Sequence, residues 1–187
     1  MRIIGGTARG LKLAEVGAGD AEAHLRPTSD RVRESIFNLL VNGTHGNPLP
    51  GARVLDLFAG TGALGLEALS RGAARVVFVD DGIAARGLLR RNIELMRAAP
   101  ATDVLRGDAR DMGRNRDAPY NLVFLDPPYG KGLGELALAS CLVGGWLAPG
   151  ARVVWEEAAR PILPEGFVLL DQRRYGGTTV TMARAPG

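Results

Sequence analysis

From residue 53 onward, short runs of apolar residues alternate with segments in which apolar residues recur every three or four positions. The runs have almost no polar interruption, as in residues 122–125, which is typical of strands buried on both faces of a sheet. Strands separated by helical segments favour parallel pairing, because each helix carries the chain back to the edge where the next strand starts. The sequence therefore predicts an α/β fold, a mostly parallel sheet with helices on both faces.

Seven strands are expected in this part of the chain, and the last two suit an antiparallel pair joined near residues 175–177. The predicted strands cover 53–57, 75–79, 103–105, 121–125, 152–155, 167–170 and 178–182, and the predicted helices cover 63–70, 83–97 and 133–146.

The first 50 residues have a different pattern. Two short extended pieces are predicted at 2–5 and 9–14, and residues 42–50, rich in Gly, Asn and Pro, are typical of a linker. We therefore divide the chain into an N-terminal extension, residues 1–50, and a main domain, residues 51–187.

One helix is expected within the extension. Thr28 or Ser29 can cap it, and its apolar residues recur at helical spacing, with Arg31 and Arg33 expected away from the apolar stripe. The stripe consists of Val32, Ile36, Leu39 and Leu40.

Composition excludes several classes of protein. Hydrophobic residues make up 46% and charged residues 23% of the 187 residues, which is ordinary for a globular domain. No apolar run approaches the roughly 18 residues of a membrane span, and the chain starts without a secretory apolar stretch. Cys141 is the only cysteine, so no internal disulfide can form and a cytoplasmic location is expected. His24 and His45 lie in loop-like segments without partner ligands, so no metal is expected.

An aspartate stands at or just after the end of each of the first four predicted strands: Asp56, Asp80, Asp108 and Asp126. The carboxyl ends of parallel strands meet at one edge of the sheet, where ligands of open α/β sheets bind. The sequence therefore predicts an acidic site at this edge.

The first strand leads into a glycine-rich turn in which Gly60, Gly62 and Gly65 match the spacing G-x-G-x-x-G. Glycines at this spacing let a ligand approach bare backbone, and Asp80 follows Gly60 at the distance typical of an acid that holds ribose. Taken alone, the pattern is compatible with NAD(P). Asp56 disfavours a pyrophosphate, which needs the positive end of a helix without a carboxylate beside it. S-adenosylmethionine, which is cationic and carries no phosphate, fits these residues better.

The other two acids, Asp108 and Asp126, suggest how the adenine of the cofactor and the substrate base would be recognised. Asp108 could accept a hydrogen bond from the adenine amino group, beside the backbone N–H of Ala109. Asp126-Pro127-Pro128-Tyr129 follows the most apolar strand, and its prolines stiffen the corner and remove backbone donors. Such a corner suits a planar base with an exocyclic amine: Asp126 and the Pro127 carbonyl would accept the amine hydrogens while Tyr129 stacks on the base.

The first 13 residues carry Arg2, Arg9 and Lys12 and contain no acid. The candidates for contact with nucleic-acid phosphates are Arg2, Arg9, Lys12, Arg26 and Arg31. A solvated charged edge with no partner would have the same composition.

Together, these motifs resemble the class I S-adenosylmethionine-dependent methyltransferases that modify exocyclic amines of nucleic-acid bases. More narrowly, the chain resembles the bacterial RsmD family along most of its length. The resemblance is carried by Arg2-Ile3-Ile4-Gly5-Gly6, Arg9-Gly10-Leu11-Lys12-Leu13, the segment 26–34, the segment 58–68 and Tyr175-Gly176-Gly177-Thr178.

The resemblance implies a Rossmann-like methyltransferase fold with a seven-stranded sheet and an RNA-contacting extension. It also implies methylation of a guanine N2 in 16S ribosomal RNA, with the pre-assembled small-subunit particle as substrate. The family usually has Glu at the end of the second strand and another acid two residues on; this chain has Asp80, Asp81 and Gly82, so Asp80 and Asp81 are both candidates for the ribose. The implied cofactor site comprises Asp56, Ala59, Gly60, Gly62, Asp80, Asp81, Asp108 and Ala109.

Three alternatives remain open at this level. The Asp-Pro-Pro-Tyr tetrad does not identify the base, so an adenine-N6 or cytosine-N4 methyltransferase would carry it as well. The glycine turn is compatible with an NAD(P) oxidoreductase. A non-catalytic RNA-binding module of ribosome assembly would share the basic extension.

Overall fold

The computed structural model describes residues 1–15 and 29–187. Its helices and strands, in chain order, are α1 (Asp30–Asn42), β1 (Arg53–Leu57), α2 (Ala63–Ser70), β2 (Arg75–Asp80), α3 (Ile83–Leu95), β3 (Thr102–Arg106), β4 (Tyr120–Leu125), α4 (Leu133–Val143), β5 (Leu147–Glu157), β6 (Val168–Tyr175) and β7 (Thr178–Arg184).

The strands form one seven-stranded sheet in the order β3-β2-β1-β4-β5-β7-β6. The first five strands in the chain are parallel, and β7 runs antiparallel between β5 and β6. The strand order reverses between β1 and β4, which is where ligands of such sheets bind. The predicted α/β fold is confirmed.

Three elements differ from their predicted bounds by three or more residues at one end. Helix α4 ends at Val143, three residues early, because Gly144 and Gly145 follow it and Trp146 turns back into the core. The indole of Trp146 stacks on Tyr120 at 5.9 Å between ring centroids. Strand β6 is longer than predicted because it pairs with β7 as far as Tyr175. Strand β5 pairs with β7 as far as Glu157, and its start at Leu147 pairs with Tyr120 of β4.

The core lies on both faces of the sheet. Helices α1, α2 and α3 cover one face together with Ile3 and Leu13 of the extension, and α4 covers the other. Cys141 of α4 is fully buried there, and burial raises the pKa of its thiol to about 12, as expected for a core residue. Within the described residues, no helix has the length and hydropathy to cross a bilayer.

Helix α2 anchors the start of the chain through a buried carboxylate. Glu67 has no exposed surface, and it accepts hydrogen bonds from the backbone N–H groups of Ile4 (2.7 Å) and Gly5 (2.8 Å). Arg71, the C-cap residue of α2, donates to the same carboxylate at 2.7 Å. The buried charge is therefore compensated, and residues 1–13 are fixed on the main domain.

A second anchor joins the extension to the glycine-rich turn. The buried amide of Asn92 in α3 accepts from the N–H of Ala14 (2.6 Å) and donates to its carbonyl (3.2 Å). The same amide nitrogen donates to the carbonyl of Thr61 at 2.9 Å. The extension and the main domain thus share one core, and their division at residue 50 stays a prediction.

The predicted position of Arg33 is wrong. This side chain is fully buried, because it lies three residues before Ile36 and four before Phe37, on the inner face of α1. Its guanidinium donates to the carbonyl of Arg2 and to Asp30 (2.8 Å). Desolvation lowers its pKa from the ordinary value. Arg33 therefore fastens the extension to α1.

Candidate active site

The carboxyl ends of β1, β2, β4 and β5 meet at one edge of the sheet. Leu57 is in register with Val79 and Leu125, and Leu125 is in register with Trp155. The residues that follow these four positions form a row across the edge: Phe58, Asp80, Asp126 and Glu156. Three of the four are acidic, so the site has the negative character that the sequence predicted.

The turn after β1 has left-handed backbone at three positions. Gly60 has φ +55° and Gly62, the N-cap of α2, has φ +77°. Phe58 also has a positive φ (+57°), which costs a bulky residue energy and is uncommon outside functional sites. Sequence reasoning missed Phe58, since no local pattern marks a left-handed phenylalanine. The Ala59 N–H donates to the Val79 carbonyl (3.1 Å) and ties the turn to β2.

Asp80 connects the turn to the start of α3. One of its carboxylate oxygens accepts from the N–H of Gly60 and the other from the N–H of Gly82, both at 2.8 Å. Burial raises the pKa of Asp80, and the two backbone hydrogen bonds oppose that rise. Each oxygen keeps a further lone pair for a ribose hydroxyl. Asp81 is exposed beside it.

Asp56 lies beneath the turn and away from solvent. Its side chain is 2% exposed, and its carboxylate accepts from the N–H of Gly65 at 2.9 Å, in the first turn of α2. Burial raises the pKa of Asp56 to about 8, and nearby Asp80 adds to the effect. The acid therefore occupies the helix N-terminus that a pyrophosphate would need. Direct contact of Asp56 with the cofactor stays a prediction.

The raised pKa of Asp56 predicts a specific pH dependence of stability. Between about pH 4, its unfolded value, and about pH 8, its folded value, the folded state holds a proton that the unfolded state has lost. Stability therefore falls as pH rises through this window, on the order of 1 kcal/mol per pH unit. We expect Asp56→Asn, which keeps an acceptor for Gly65, to lose this component. Urea unfolding of both proteins from pH 5 to 8 measures it, and parallel curves would contradict the prediction.

Asp108 and Ala109 follow β3 at the far side of the turn. Asp108 is part-exposed and forms an ion pair with Arg110, whose hydrogen bonds lower the pKa of the carboxyl. Ala109 is buried. Ile83, at the first position of α3, is 81% exposed next to the Asp80 loop. The sequence pattern did not reveal this exposed apolar side chain beside the acidic edge.

The Asp-Pro-Pro-Tyr tetrad forms the corner after β4. Asp126 is half-buried, Pro127 is buried and Pro128 is exposed, so the corner is fixed on its inner side. The Tyr129 hydroxyl donates to Oε1 of Glu156 (2.8 Å) and lies 3.2 Å from Oγ1 of Thr178. Desolvation raises the pKa of Tyr129, so its hydroxyl stays protonated at neutral pH.

Two acids at the end of β5 were missed because the predicted strand stopped at residue 155. Glu156 is 5% and Glu157 8% exposed. Glu157 accepts from the N–H of Gly130 at 3.0 Å, so consecutive carboxylates hold consecutive residues of the corner.

Most of the candidate phosphate contacts are accessible. Arg2, Arg9, Lys12 and Arg31 are all exposed. Arg2 and Lys12 are partners in an antiparallel bridge, which brings two of these residues together. Arg26 lies outside the described residues. Across residues 1–15 and 29–187 there is no group of three His, Cys, Asp or Glu side chains arranged to hold a metal ion.

The family model "Conserved hypothetical protein 95" matches residues 1–184 of this chain. "Ribosomal RNA small subunit methyltransferase D" from Escherichia coli is 40% identical over 179 residues, 94% of this chain and 85% of that protein. The Haemophilus influenzae protein of the same name is 34% identical over 94% of this chain and 89% of that protein. The solved structure of yhhF from Escherichia coli is 35% identical, with a TM-score of 0.82 over 100% of this chain and 98% of that chain. These matches confirm the resemblance found in the motifs: the chain belongs to the RsmD family, the family of ribosomal RNA small subunit methyltransferase D.

Proposed function

We propose that this protein transfers a methyl group from S-adenosylmethionine to the exocyclic N2 amine of a guanine in 16S ribosomal RNA. The relatives described above are named as small-subunit ribosomal RNA methyltransferases. The observation that carries the proposal is the placement of the Asp-Pro-Pro-Tyr corner. It follows β4, the direct neighbour of the strand that leads into the glycine turn, so the corner and the turn flank one crevice.

The residues present fit S-adenosylmethionine better than a dinucleotide. Asp56 already fills the N-terminus of α2, which excludes the usual pyrophosphate position. The cofactor would be held by Asp80 at its ribose and by the backbone of Ala59, Gly60 and Gly62, with Asp81, Asp108 and Ala109 around it. When bound, it supplies an activated methyl group on a sulfonium. An NAD(P) oxidoreductase is correspondingly disfavoured.

The chain itself contributes orientation and hydrogen-bond acceptors. Asp126 and the Pro127 carbonyl would each accept a hydrogen bond from one N–H of the amine. These two hydrogen bonds would direct the nitrogen lone pair toward the methyl carbon. Transfer would form a bond from the amine nitrogen to the methyl carbon and break the sulfur–carbon bond, whose electron pair would stay on sulfur. One amine proton would then leave, and Asp126 would receive it. Tyr129 would stack on a base swung out of its helix.

The substrate would be bound through the extension. Arg2, Arg9, Lys12, Arg26 and Arg31 would contact phosphates, with residues 1–50 as the RNA-contacting part and 51–187 as the methyltransferase domain. The hydrogen bonds of Glu67 and Asn92 hold residues 1–14 of the extension on the domain that contains the crevice. We further propose the assembled small-subunit particle as substrate, which places the reaction in the cytoplasm.

An assay with labelled methyl donor tests the activity. Small-subunit particles and naked 16S RNA from cells lacking this protein are incubated with it, and the RNA is digested to nucleosides. We expect labelled N2-methylguanosine, with more product from particles. Label in N6-methyladenosine or N4-methylcytidine would identify a different base. RNA binding with steep salt dependence and no label would favour the assembly module instead.

A further inference from the structure

The hydroxyl of Tyr129 is held by two side chains from another part of the sheet. Glu156 is the second-last residue of β5, and Thr178 is the first residue of β7, within the Tyr-Gly-Gly-Thr motif. Both are almost fully buried, with 5% and 6% of their surface exposed. Tyr129 donates to the carboxylate at 2.8 Å, and the two hydroxyls lie 3.2 Å apart.

This arrangement fixes the direction of the Tyr129 ring. A hydrogen bond from a neutral donor to a carboxylate is shorter and stronger than one between neutral groups. A tyrosine ring attached only at Cβ could rotate about two bonds, and a second attachment at the opposite end removes that freedom. The ring at the proposed base-stacking position is therefore oriented before any base arrives.

We propose that Glu156 and Thr178 are positioning residues for methyl transfer, acting through the Tyr129 hydroxyl to set the plane on which the substrate base stacks. The inference rests on the proposed function. Transfer needs the amine nitrogen in line with the methyl group, and small errors of placement reduce rate strongly. A role is thereby assigned to Thr178, a residue of the one family motif that the proposed function otherwise leaves unused.

A double-mutant cycle between Tyr129 and Glu156 tests this. Tyr129→Phe keeps the ring and removes the hydroxyl, and Glu156→Gln keeps the shape and removes the charge. We expect kcat for 16S RNA to fall about tenfold in Tyr129→Phe and about fivefold in Glu156→Gln. The affinity of both variants for S-adenosylhomocysteine should be unchanged. The double variant should equal Tyr129→Phe alone, because the proposed effect of Glu156 on kcat passes through the Tyr129 hydroxyl.

Glu157 provides the matched control, since it is the adjacent buried carboxylate but holds the Gly130 N–H instead of Tyr129. The effects of Glu157→Gln and Tyr129→Phe on the activation free energy, measured from kcat, should add. In parallel, Thr178→Ser should retain the wild-type kcat while Thr178→Val should lower it, because only serine keeps the hydroxyl.

The outcomes separate the two proposals. Two results would overturn the positioning role alone, provided that the wild-type protein transfers methyl groups. One is additive effects of Tyr129→Phe and Glu156→Gln on kcat, and the other is an unchanged kcat in the single variants. A loss of S-adenosylhomocysteine affinity or of thermal stability that parallels the loss of kcat would also overturn it, by showing a structural role. No methyl transfer by the wild-type protein to any RNA would refute the proposed function and this inference with it.

Discussion

Replacing Asp126 by alanine is expected to lower kcat for methyl transfer by about 10²–10³-fold, because removal of one preorganised hydrogen-bonding group from a reacting centre costs that much. Binding of S-adenosylhomocysteine should be unchanged, since the residues expected to hold it follow β1, β2 and β3, whereas Asp126 follows β4. Single-turnover kinetics with saturating cofactor, together with calorimetric binding of S-adenosylhomocysteine, measure the two quantities separately.

Asp126→Asn distinguishes two roles for the carboxylate. Its amide oxygen accepts one hydrogen bond from the substrate amine but does not take up a proton at neutral pH. If Asp126 mainly orients the amine, the asparagine variant keeps substantially more activity than the alanine variant. Equal loss in both variants would show that the negative charge itself is required, and full activity of Asp126→Ala would remove Asp126 from the mechanism.

Gly6→Ala is expected to detach the extension from α2. A Cβ at Gly6 would lie 1.8 Å from the backbone oxygen of Ser70, and moving that oxygen away would weaken its 2.7 Å hydrogen bond from the Thr7 N–H. Left-handed backbone (φ +77°) adds its own cost. We expect a loss on the order of 3 kcal/mol from strain and overpacking together, seen as a fall in the thermal midpoint on the order of 10 °C.

Gly10→Ala is the matched control for this prediction. Gly10 also has a positive φ (+88°), but no atom lies within 4 Å of the added Cβ. It should therefore lose only about 1–2 kcal/mol, the cost of the left-handed backbone. If extension contacts matter for RNA, Gly6→Ala also lowers affinity for 16S RNA far more than Gly10→Ala does. Equal thermal unfolding midpoints for Gly6→Ala and Gly10→Ala would contradict the predicted clash with Ser70.

Much of the site could be read before the fold was known, because its residues stand at fixed places in a periodic pattern. Asp80 and Asp126 follow apolar runs, and parallel pairing brings the ends of those runs to one edge. The glycine turn was recognisable from the spacing of its glycines. The pattern did not show that Asp56 is buried against α2, because its distance from the surface depends on how the helix packs.

The sequence alone determined the parallel sheet, the edge that carries the acids and the family, since strand–helix periodicity and local motifs are properties of neighbouring residues. Only the tertiary structure decided what holds these parts in place. Glu67 meets Ile4 across 63 positions of the chain, and Glu156 meets Tyr129 across 27. Such pairs leave no signal in the neighbouring sequence. A carboxylate, or an arginine such as Arg33, becomes an anchor only when it is buried, and that burial arises only when distant segments pack together.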